Sequence, residues 1–509
     1  MSQQCESDDK TGRRTGKVVL VGAGPGDPGL ITVRGVEVLR SADVVVYDRL
    51  ANPSLLSHCR GDAKLIYVGK GPGGMKQLEI NALLVEEASA GRYVCRLKGG
   101  DPFLFGRGGE EASYLVANGI PFEVVPGVTS AIAVPAYAGI PVTDRRLASV
   151  VAMVTGHPAE DTPEKRLPWH ELSGADTIVS LMGVGSLRQT AAELIEAGRD
   201  PGLPAAVIEQ GTTPRQRTVV APLGRIADEC EAAGIGPPAI LVVGGVVDLR
   251  QQLAWIERKP LWGLRVLVTR PAAQAEALSR ELRDAGAEPV EFPCIEIRPV
   301  SPNESALQAL QRSYDWILFV SANGVSGAGC CLRQAGRDWR ALPAGKIGVV
   351  GPGTAAAAEG AGLRVDFMPS RYTVAALAEE LPGPLDGTAV LLPGRAEINR
   401  SLREGMASRG ANVVAWPVYE VVTSAPRIAL ADVAPSGLDV VTLTSSSAAR
   451  GFVELGGLEV AHDAIIACIG LPTAEAARRA GLDVEIVAEE HTVRGLVAAI
   501  IKHREGKTP

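Results

Sequence analysis

The sequence predicts an α/β protein of layered, largely parallel sheets, and three observations predict it. Short β-branched runs alternate with stretches at helical spacing almost from end to end. The pattern begins twice, because GLRVLVTR at 263–270 reads as a fresh buried strand. Within the second half, 347–381 (IGVVGPGTAAAAEGAGL…) resembles 466–500 (IACIGLPTAEAARRAGL…), and DWILFVSANGV at 315–325 parallels DVVTLTSSSAA at 439–449. Two related α/β units about 120 residues apart predict two lobes facing a cleft, with a period too long for a solenoid.

The elements follow in order. Residues 1–15 are polar and read as a disordered tail. From Lys17, KVVLVGAG predicts a strand, a Gly/Pro turn follows, ITVRGVEVLRSA has helical spacing, and DVVVYD is the next strand. LIYVGK, RYVCRLKGG, SVVAMVTGH, TIVSLMG, PAAVIEQG and AILVVGGVV continue the alternation through a first unit at 16–250, whose length again suggests two lobes. RQQLAWIERKPLWG is charged and carries two Trp and one Pro, which predicts a flexible linker over 251–262. A second unit, 263–509, opens with GLRVLVTR and a helix that stops near Gly286.

Composition narrows the functional classes. With 46% apolar and 21% charged residues in 509, the chain can fill several cores and is no disordered protein. A net charge of −7 supplies no basic field for nucleic acid or an anionic membrane. The eight cysteines are scattered without a CxxC pair, so neither structural zinc nor a disulfide framework is expected, and free thiols suit a reducing cytoplasm. The N-terminus lacks the apolar core of a signal peptide. Forty Arg to eleven Lys fit a GC-rich coding bias, or a substrate whose carboxylates guanidinium groups grip bidentately.

VVLVGAGPGDPG at 18–29 lets backbone approach a ligand at Gly22, Gly24 and Gly26. A dinucleotide site fits it poorly. Pro25 and Pro28 remove N–H groups that a pyrophosphate would use, and Asp27 would repel it. Asp48, closing the next strand, keeps a nicotinamide-dependent dehydrogenase open as an alternative.

GAGPGDPGLIT, ADVVVYDRL, VGK, RLKGGDPFLFGRGGEE, VVPGVTSAIAVPAYAGIPVT, VTGH and LMG occur in one order. Together they resemble the uroporphyrinogen-III C-methyltransferases of the tetrapyrrole-methylase family, over about 16–250. The resemblance implies a two-lobed methyltransferase with S-adenosylmethionine in the interlobe cleft, adding methyls at carbons 2 and 7 to give precorrin-2. It implies Asp48 as the base and Lys70 as a proton donor; read alone, the first is a strand-end cap and the second a solvated turn lysine. Cofactor contacts carry over to Pro25, Gly99, Gly100, Asp101, Leu104, Thr129, Ser130, Met182 and Gly211. Asp101 would hold a polar or cationic part of the cofactor, and Met182, judged alone, is more often core packing. Arg107, Arg145 and Arg146 are the candidates for substrate carboxylates, against a reading as surface arginines. Two departures concern the substrate loops: GPGGMKQLEIN is shorter than usual after Lys70, and Asp144 stands where the family often has His.

The second unit has hydroxyl-rich turns instead: SAN, GPGTA, TSSSA and GLPTA, each between a strand and a helix. Ser and Thr there cap helices, and a capped N-terminus still offers N–H groups to an anion. RVLVTRP, DWILFVSANGV, VGPGTAAAAEGAG, VLLPGR, PVYEVV, TSSSAARGF and IGLPTAEAARRAGL, in that order, resemble uroporphyrinogen-III synthase over about 263–503. That implies cofactor-free closure of hydroxymethylbilane with inversion of the fourth pyrrole. It implies Tyr419 as an acid for the leaving hydroxyl, with a buried ring and satisfied hydroxyl as the alternative. Thr354, Ser445 and Thr473 match substrate-contacting hydroxyls, Ser321 matches less closely, and Pro472 replaces a second threonine. Lobe one would be 263–297 plus 424–507, and lobe two 300–418.

The resemblances imply a cytoplasmic bifunctional enzyme that takes small tetrapyrrole substrates toward sirohaem or cobalamin. S-Adenosylmethionine would be its one cofactor and no metal would bind; the candidate assembly is a homodimer through the methyltransferase half. A methyltransferase whose second half only senses a tetrapyrrole is the rival reading. Nothing resembles the dinucleotide-binding unit needed to oxidise and metallate precorrin-2.

Overall fold

The computed structural model describes residues 16–69, 75–156, 167–301, 312–342, 344–395, 400–426, 429–433 and 437–507. The tail expected at 1–15 and Lys70 lie outside them.

The first sheet joins β1 (Lys17–Gly22), β2 (Val44–Tyr47), β3 (Lys64–Tyr67), β4 (Tyr93–Lys98) and β5 (Phe122–Val125) in the order β3-β2-β4-β1-β5, all parallel. Helical crossovers such as Val33–Ser41 and Gly108–Ala117 make parallel pairing the accessible solution. Both faces are covered. Val19, Val21, Val45 and Leu97 enter one apolar cluster, and Val18, Leu20, Val44 and Val94 enter another.

The second sheet joins β6 (Val151–Thr155), β7 (Thr177–Leu181), β8 (Pro204–Glu209), β9 (Arg217–Pro222) and β10 (Ala239–Val243) in the order β6-β7-β10-β8-β9. Here the expectation of largely parallel sheets fails, because only β6 and β7 are parallel. For β8 and β9 the cause is local, since β8 returns as β9 through 210–216 with no helix and so short a return can only pair antiparallel; β10 then enters between β7 and β8, antiparallel to both.

In the second unit, β11 (Arg265–Val268), β12 (Glu288–Glu291), β19 (Val440–Leu443), β20 (Ile465–Cys468) and β21 (Val484–Val487) form a parallel sheet in the order β12-β11-β19-β20-β21. A second parallel sheet, β15-β14-β16-β17, contains β14 (Tyr314–Phe319), β15 (Ala344–Val349), β16 (Ala389–Gly394) and β17 (Asn412–Pro417). Among the described residues, β13 (Ile295–Pro299) and β18 (Tyr419–Thr423) run between them, as an antiparallel pair. One helix from each lobe presses on this bridge at a glycine. A Cβ at Gly327 would stand 2.8 Å from the Val418 carbonyl, and one at Gly451 would stand 2.6 Å from the Cys294 carbonyl.

The segment predicted as a flexible linker is docked at both ends. Arg250 pairs with Glu257 at 2.7 Å and donates to the Ala138 carbonyl. The Trp255 indole donates to the Ala136 carbonyl at 3.0 Å and meets the Tyr137 ring edge-on. Leu261 is fully buried in the second unit's core, and its N–H donates to the Ala285 carbonyl. A small crevice between the units is lined by Asp27, Tyr137, Thr212, Trp262, Arg283 and Gly286 among others. The charge and the Trp content that suggested a tether are the contact chemistry of this joint.

Candidate active sites

The first site forms where strands of the first sheet end. Gly24 and Gly100, in the turns after β1 and β4, exchange two backbone hydrogen bonds, at 2.7 and 3.3 Å. A Cβ on Gly127, beyond β5, would stand 2.2 Å from the Gly100 carbonyl, so three turns meet at van der Waals limits. Asp101 fastens them. Its Oδ1 accepts from the Phe103 and Leu104 N–H groups (2.8 and 3.0 Å) and its Oδ2 from the Gly127 N–H (3.0 Å). Over Gly100 (φ +66°) the space is open: a Cβ there would meet only the Ser130 nitrogen, at 3.9 Å.

The second sheet supplies the opposite wall. Asp27 N–H donates to Thr212 Oγ1 at 3.1 Å, and the Tyr137 hydroxyl donates to Asp27 Oδ2 at 2.7 Å. Burial, then Asp27, raises the Tyr137 pKa. Among the described residues, the non-glycine residues with positive φ are Phe105, Arg107, Met182, Gln210 and Thr212. All belong to turns around this cleft, and such backbone costs about 1–3 kcal/mol each, which packing elsewhere must offset.

Beside the cleft lies a buried cluster of charges. Arg96 on β4 stands opposite Val46 on β2. It donates to the Val46 and Leu97 carbonyls (3.4 and 3.0 Å), to Asp48 Oδ2 (3.1 Å) and to Glu111 Oε1 (3.2 Å). Lys98 Nζ donates to the same Glu111 oxygen at 2.9 Å, and Gln77 Nε2 at 3.2 Å. Burial first, and Arg96 second, hold the Lys98 ammonium below its ordinary pKa. Glu111 Oε2 has no partner among the described residues, although the residue is 0% exposed.

The second site lies between the lobes of the second unit, where each lobe presents the N-termini of two helices. Ser321 and Ser445 cap Ala322–Gln334 and Ser446–Glu454, accepting from the Gly324 and Ala448 N–H groups at 3.1 Å. Pro352–Gly360 and Leu471–Arg479 instead begin at glycine, and each buries a threonine in its first turn, Thr354 and Thr473. Tyr419, 7% exposed at the bridge, places its hydroxyl 3.2 Å from Ser321 Oγ. Across the cleft, Gln274 Nε2 donates to Asn323 Oδ1 at 2.7 Å.

Residues 17–227 match the family described as Tetrapyrrole (Corrin/Porphyrin) Methylases, and 276–498 match Uroporphyrinogen-III synthase HemD. The porphyrin biosynthesis protein HemD of Ruminiclostridium josui is 40% identical over 499 residues, which is 96% of this chain and 98% of that protein. The chain belongs to the family of uroporphyrinogen-III C-methyltransferases fused to uroporphyrinogen-III synthases. A uroporphyrinogen-III C-methyltransferase of Methanocaldococcus jannaschii is 52% identical over 238 residues, covering 46% of this chain and 98% of its own. A solved uroporphyrin-III C-methyl transferase of Thermus thermophilus, complexed with S-adenosyl homocysteine, is 42% identical; the match covers 46% of this chain and all of that one, with a TM-score of 0.41.

Of the residues in the C-methyltransferase half that the resemblance implies for the cofactor, Pro25, Gly99, Gly100, Asp101 and Leu104 lie in the turns after β1 and β4, Met182 and Gly211 in the turns after β7 and β8, and Thr129 and Ser130 at the start of the helix Ser130–Tyr137. Thr129 caps the helix Ser130–Tyr137, accepting from the Ala131 N–H. Leu104 packs against the second sheet's core. Met182 is no core residue: it is 50% exposed with φ +55°. Asp101 spends both oxygens on backbone, which makes it a fastener of turns before any contact with a ligand. The α-helix after β1 begins at Val33, beyond a single 3-10 turn at Pro28–Leu30, so the glycine turn opens no α-helix for a pyrophosphate. Arg107 already grips Glu110 at 2.7 and 2.8 Å, which lowers the Glu110 pKa. Asp144 ties Arg146 through its N–H (2.9 Å) and Nε (3.3 Å), while Arg145 is exposed without an ion pair among the described residues.

In the synthase half, Ser321 and Ser445 act as caps and Thr354 and Thr473 do not. Sequence reasoning passed over Arg270, at the end of β11 beside Gln274. Burial alone lowers its guanidinium pKa, and no carboxylate pairs with it among the described residues. It also passed over Arg96, Lys98 and Glu111, although all three lie inside the quoted RLKGGDPFLFGRGGEE motif.

Proposed function

We propose that the synthase half closes hydroxymethylbilane to uroporphyrinogen III, and that the C-methyltransferase half methylates this product at carbons 2 and 7 to give precorrin-2. Family membership supports both activities. The observation that carries the methyl-transfer reading is the convergence of strained, glycine-bearing turns over the open space at Gly100, with Asp48 at the neighbouring strand end. That space is what a side chain would have filled, and it suits a bound nucleoside held by backbone.

Bound S-adenosylmethionine supplies an electrophilic methyl group, whose bond to sulfur breaks as a bond to a pyrrole carbon forms. The chain aims that carbon and excludes water. Asp48 accepts the proton that the macrocycle must then lose. Its Oδ1 takes the Leu50 N–H and its Oδ2 takes Arg96, leaving a lone pair on each and 24% of the side chain exposed. Arg145 and Arg107 meet the substrate's carboxylates in this reading, Arg107 by exchanging Glu110 for a ligand.

In the synthase half, the four helix N-termini and the hydroxyls of Thr354 and Thr473 support binding of a polycarboxylate bent for closure. Tyr419 assists departure of the hydroxyl, with Ser321 as its hydrogen-bond partner.

The test is to supply hydroxymethylbilane with and without S-adenosylmethionine and identify the tetrapyrrole. Uroporphyrinogen III without the donor and precorrin-2 with it are expected. The symmetric isomer alone would leave a C-methyltransferase with a second half that senses tetrapyrroles.

A further inference from the structure

We propose that Arg96 is the positioning residue for Asp48, setting the direction in which that carboxylate meets the substrate's proton. This rests on the reading of Asp48 as proton acceptor.

Two buried cations share Glu111, which is 0% exposed and takes Arg96 Nε at 3.2 Å and Lys98 Nζ at 2.9 Å, so Asp48 supplies the second negative charge. Charge balance alone does not dictate where the guanidinium's arms go. The remaining arms of the guanidinium do something else. Nη1 holds the Val46 carbonyl on β2, two residues before Asp48, and Nη2 holds Asp48 Oδ2 itself at 3.1 Å. Backbone and side chain at the end of β2 are therefore gripped by one rigid plane rooted on β4. That plane is in turn fixed from behind, because Glu111 Oε1 also takes Lys98 at 2.9 Å and Gln77 at 3.2 Å, and Gln77 is braced on Asn81 at 2.9 Å.

The residue type matters. Guanidinium offers a planar fork of five N–H donors, whereas ammonium is a point charge on a flexible stem. A lysine at 96 could keep the charge beside Glu111 but could not also span Asp48 and the Val46 carbonyl. Asp48 is itself only partly enclosed, with 24% of its side chain exposed against 3% for Arg96. The Leu50 N–H holds Oδ1 at 3.1 Å, and Arg96 on Oδ2 fixes the remaining freedom of the carboxylate plane. Positional error near an ångström at a reacting group costs on the order of 10²-fold in rate.

The test uses the full chain, supplied with uroporphyrinogen III and S-adenosylmethionine. Arg96→Lys is expected to lower kcat for methyl transfer by about 10- to 100-fold, with KM for both substrates and calorimetric affinity for S-adenosylhomocysteine held within about two-fold. Synthase turnover in the same sample reports that the other half is intact. A kcat within about two-fold of the parent overturns the proposal. So does loss of S-adenosylhomocysteine affinity together with turnover, because that is what a scaffold role produces. Glu111→Gln is the second variant, since it keeps an acceptor for Arg96 and removes the buried charge. It should lower kcat by a smaller factor with affinity intact, and an unchanged kcat counts against the proposal even where Arg96→Lys fails to fold. Asp48→Asn separates the two claims. Turnover that survives it removes Asp48 as the base, whereas an inactive Asp48→Asn beside an unimpaired Arg96→Lys removes only the positioning role.

Discussion

Replacing Asp101 tests whether the cofactor cleft is held open by its own turns. The carboxylate makes three hydrogen bonds of 2.8–3.0 Å to backbone N–H groups, two in its own turn and one to Gly127 across the cleft floor. Bonds to a charged acceptor contribute about 1.5–3 kcal/mol each, and the low end suits a half-exposed group. Asn can keep the Phe103 and Leu104 bonds through its oxygen, but its NH2 then faces the Gly127 N–H, so the cross-cleft bond is lost at a cost of about 1.5 kcal/mol. Ala loses all three, and after water recovers part of the loss about 2.5 kcal/mol remains. Where ordered turns are required for binding, these costs raise Kd for S-adenosylhomocysteine about tenfold and about 60-fold respectively. Calorimetric titration measures the affinity, and amide exchange of Gly127, Phe103 and Leu104 should quicken in step. Complete loss of binding in Asp101→Asn with unchanged exchange would refute the fastening role and make the carboxylate a direct cofactor ligand.

Tyr419→Phe should slow ring closure without abolishing it, and removing the hydroxyl that meets Ser321 should cost about 1 kcal/mol of stability; isomer analysis of the product together with thermal unfolding checks both. Arg270→Leu should raise KM for hydroxymethylbilane several-fold with little change in kcat, because a half-buried cation without a carboxylate partner suits substrate binding; an unchanged KM would return Arg270 to packing. Asp176 accepts from the Ser149 and Val150 N–H groups, and these bonds, Ser149 first, lower its pKa. A carboxyl depressed by folding stabilises fully above its unfolded value, near 3.8, and loses that contribution as pH falls through the lower folded value. Asp176→Asn should therefore lower Tm near neutrality and narrow its gap to the parent in acid, and parallel Tm curves down to low pH would contradict this.

The sequence makes legible whatever is local. The strand into Gly22, the turn at Gly99–Gly100 and the serine caps at 321 and 445 follow from turn chemistry and helix capping, each decided within a few residues. What it hides is decided by register. Arg96 meets Asp48 because β4 lies beside β2, and nothing near residue 96 announces a partner 48 positions earlier. A motif read as a string therefore yielded its glycines and Asp101 but not its buried cations. β9 escaped because it is an edge strand with half its positions exposed, and the apolar run in RTVVAP, VVA, is only three residues long. Residue type gives chemistry, whereas backbone geometry decides what that chemistry touches: the Asp101 carboxylate goes to three backbone N–H groups, and Met182, at φ +55°, stands half exposed instead of packed in a core.

The docked joint at 250–262 limits how the two catalytic units can be recombined. A chimera that grafts this synthase and its joint onto another methylase carries the partners of Leu261 with it, but must supply a carbonyl and a ring edge for Trp255 where Ala136 and Tyr137 now stand. Because Tyr137 meets Trp255 edge-on and bonds Asp27, a poor graft would disturb the first unit's glycine turn from behind, though no residue of that turn had been altered.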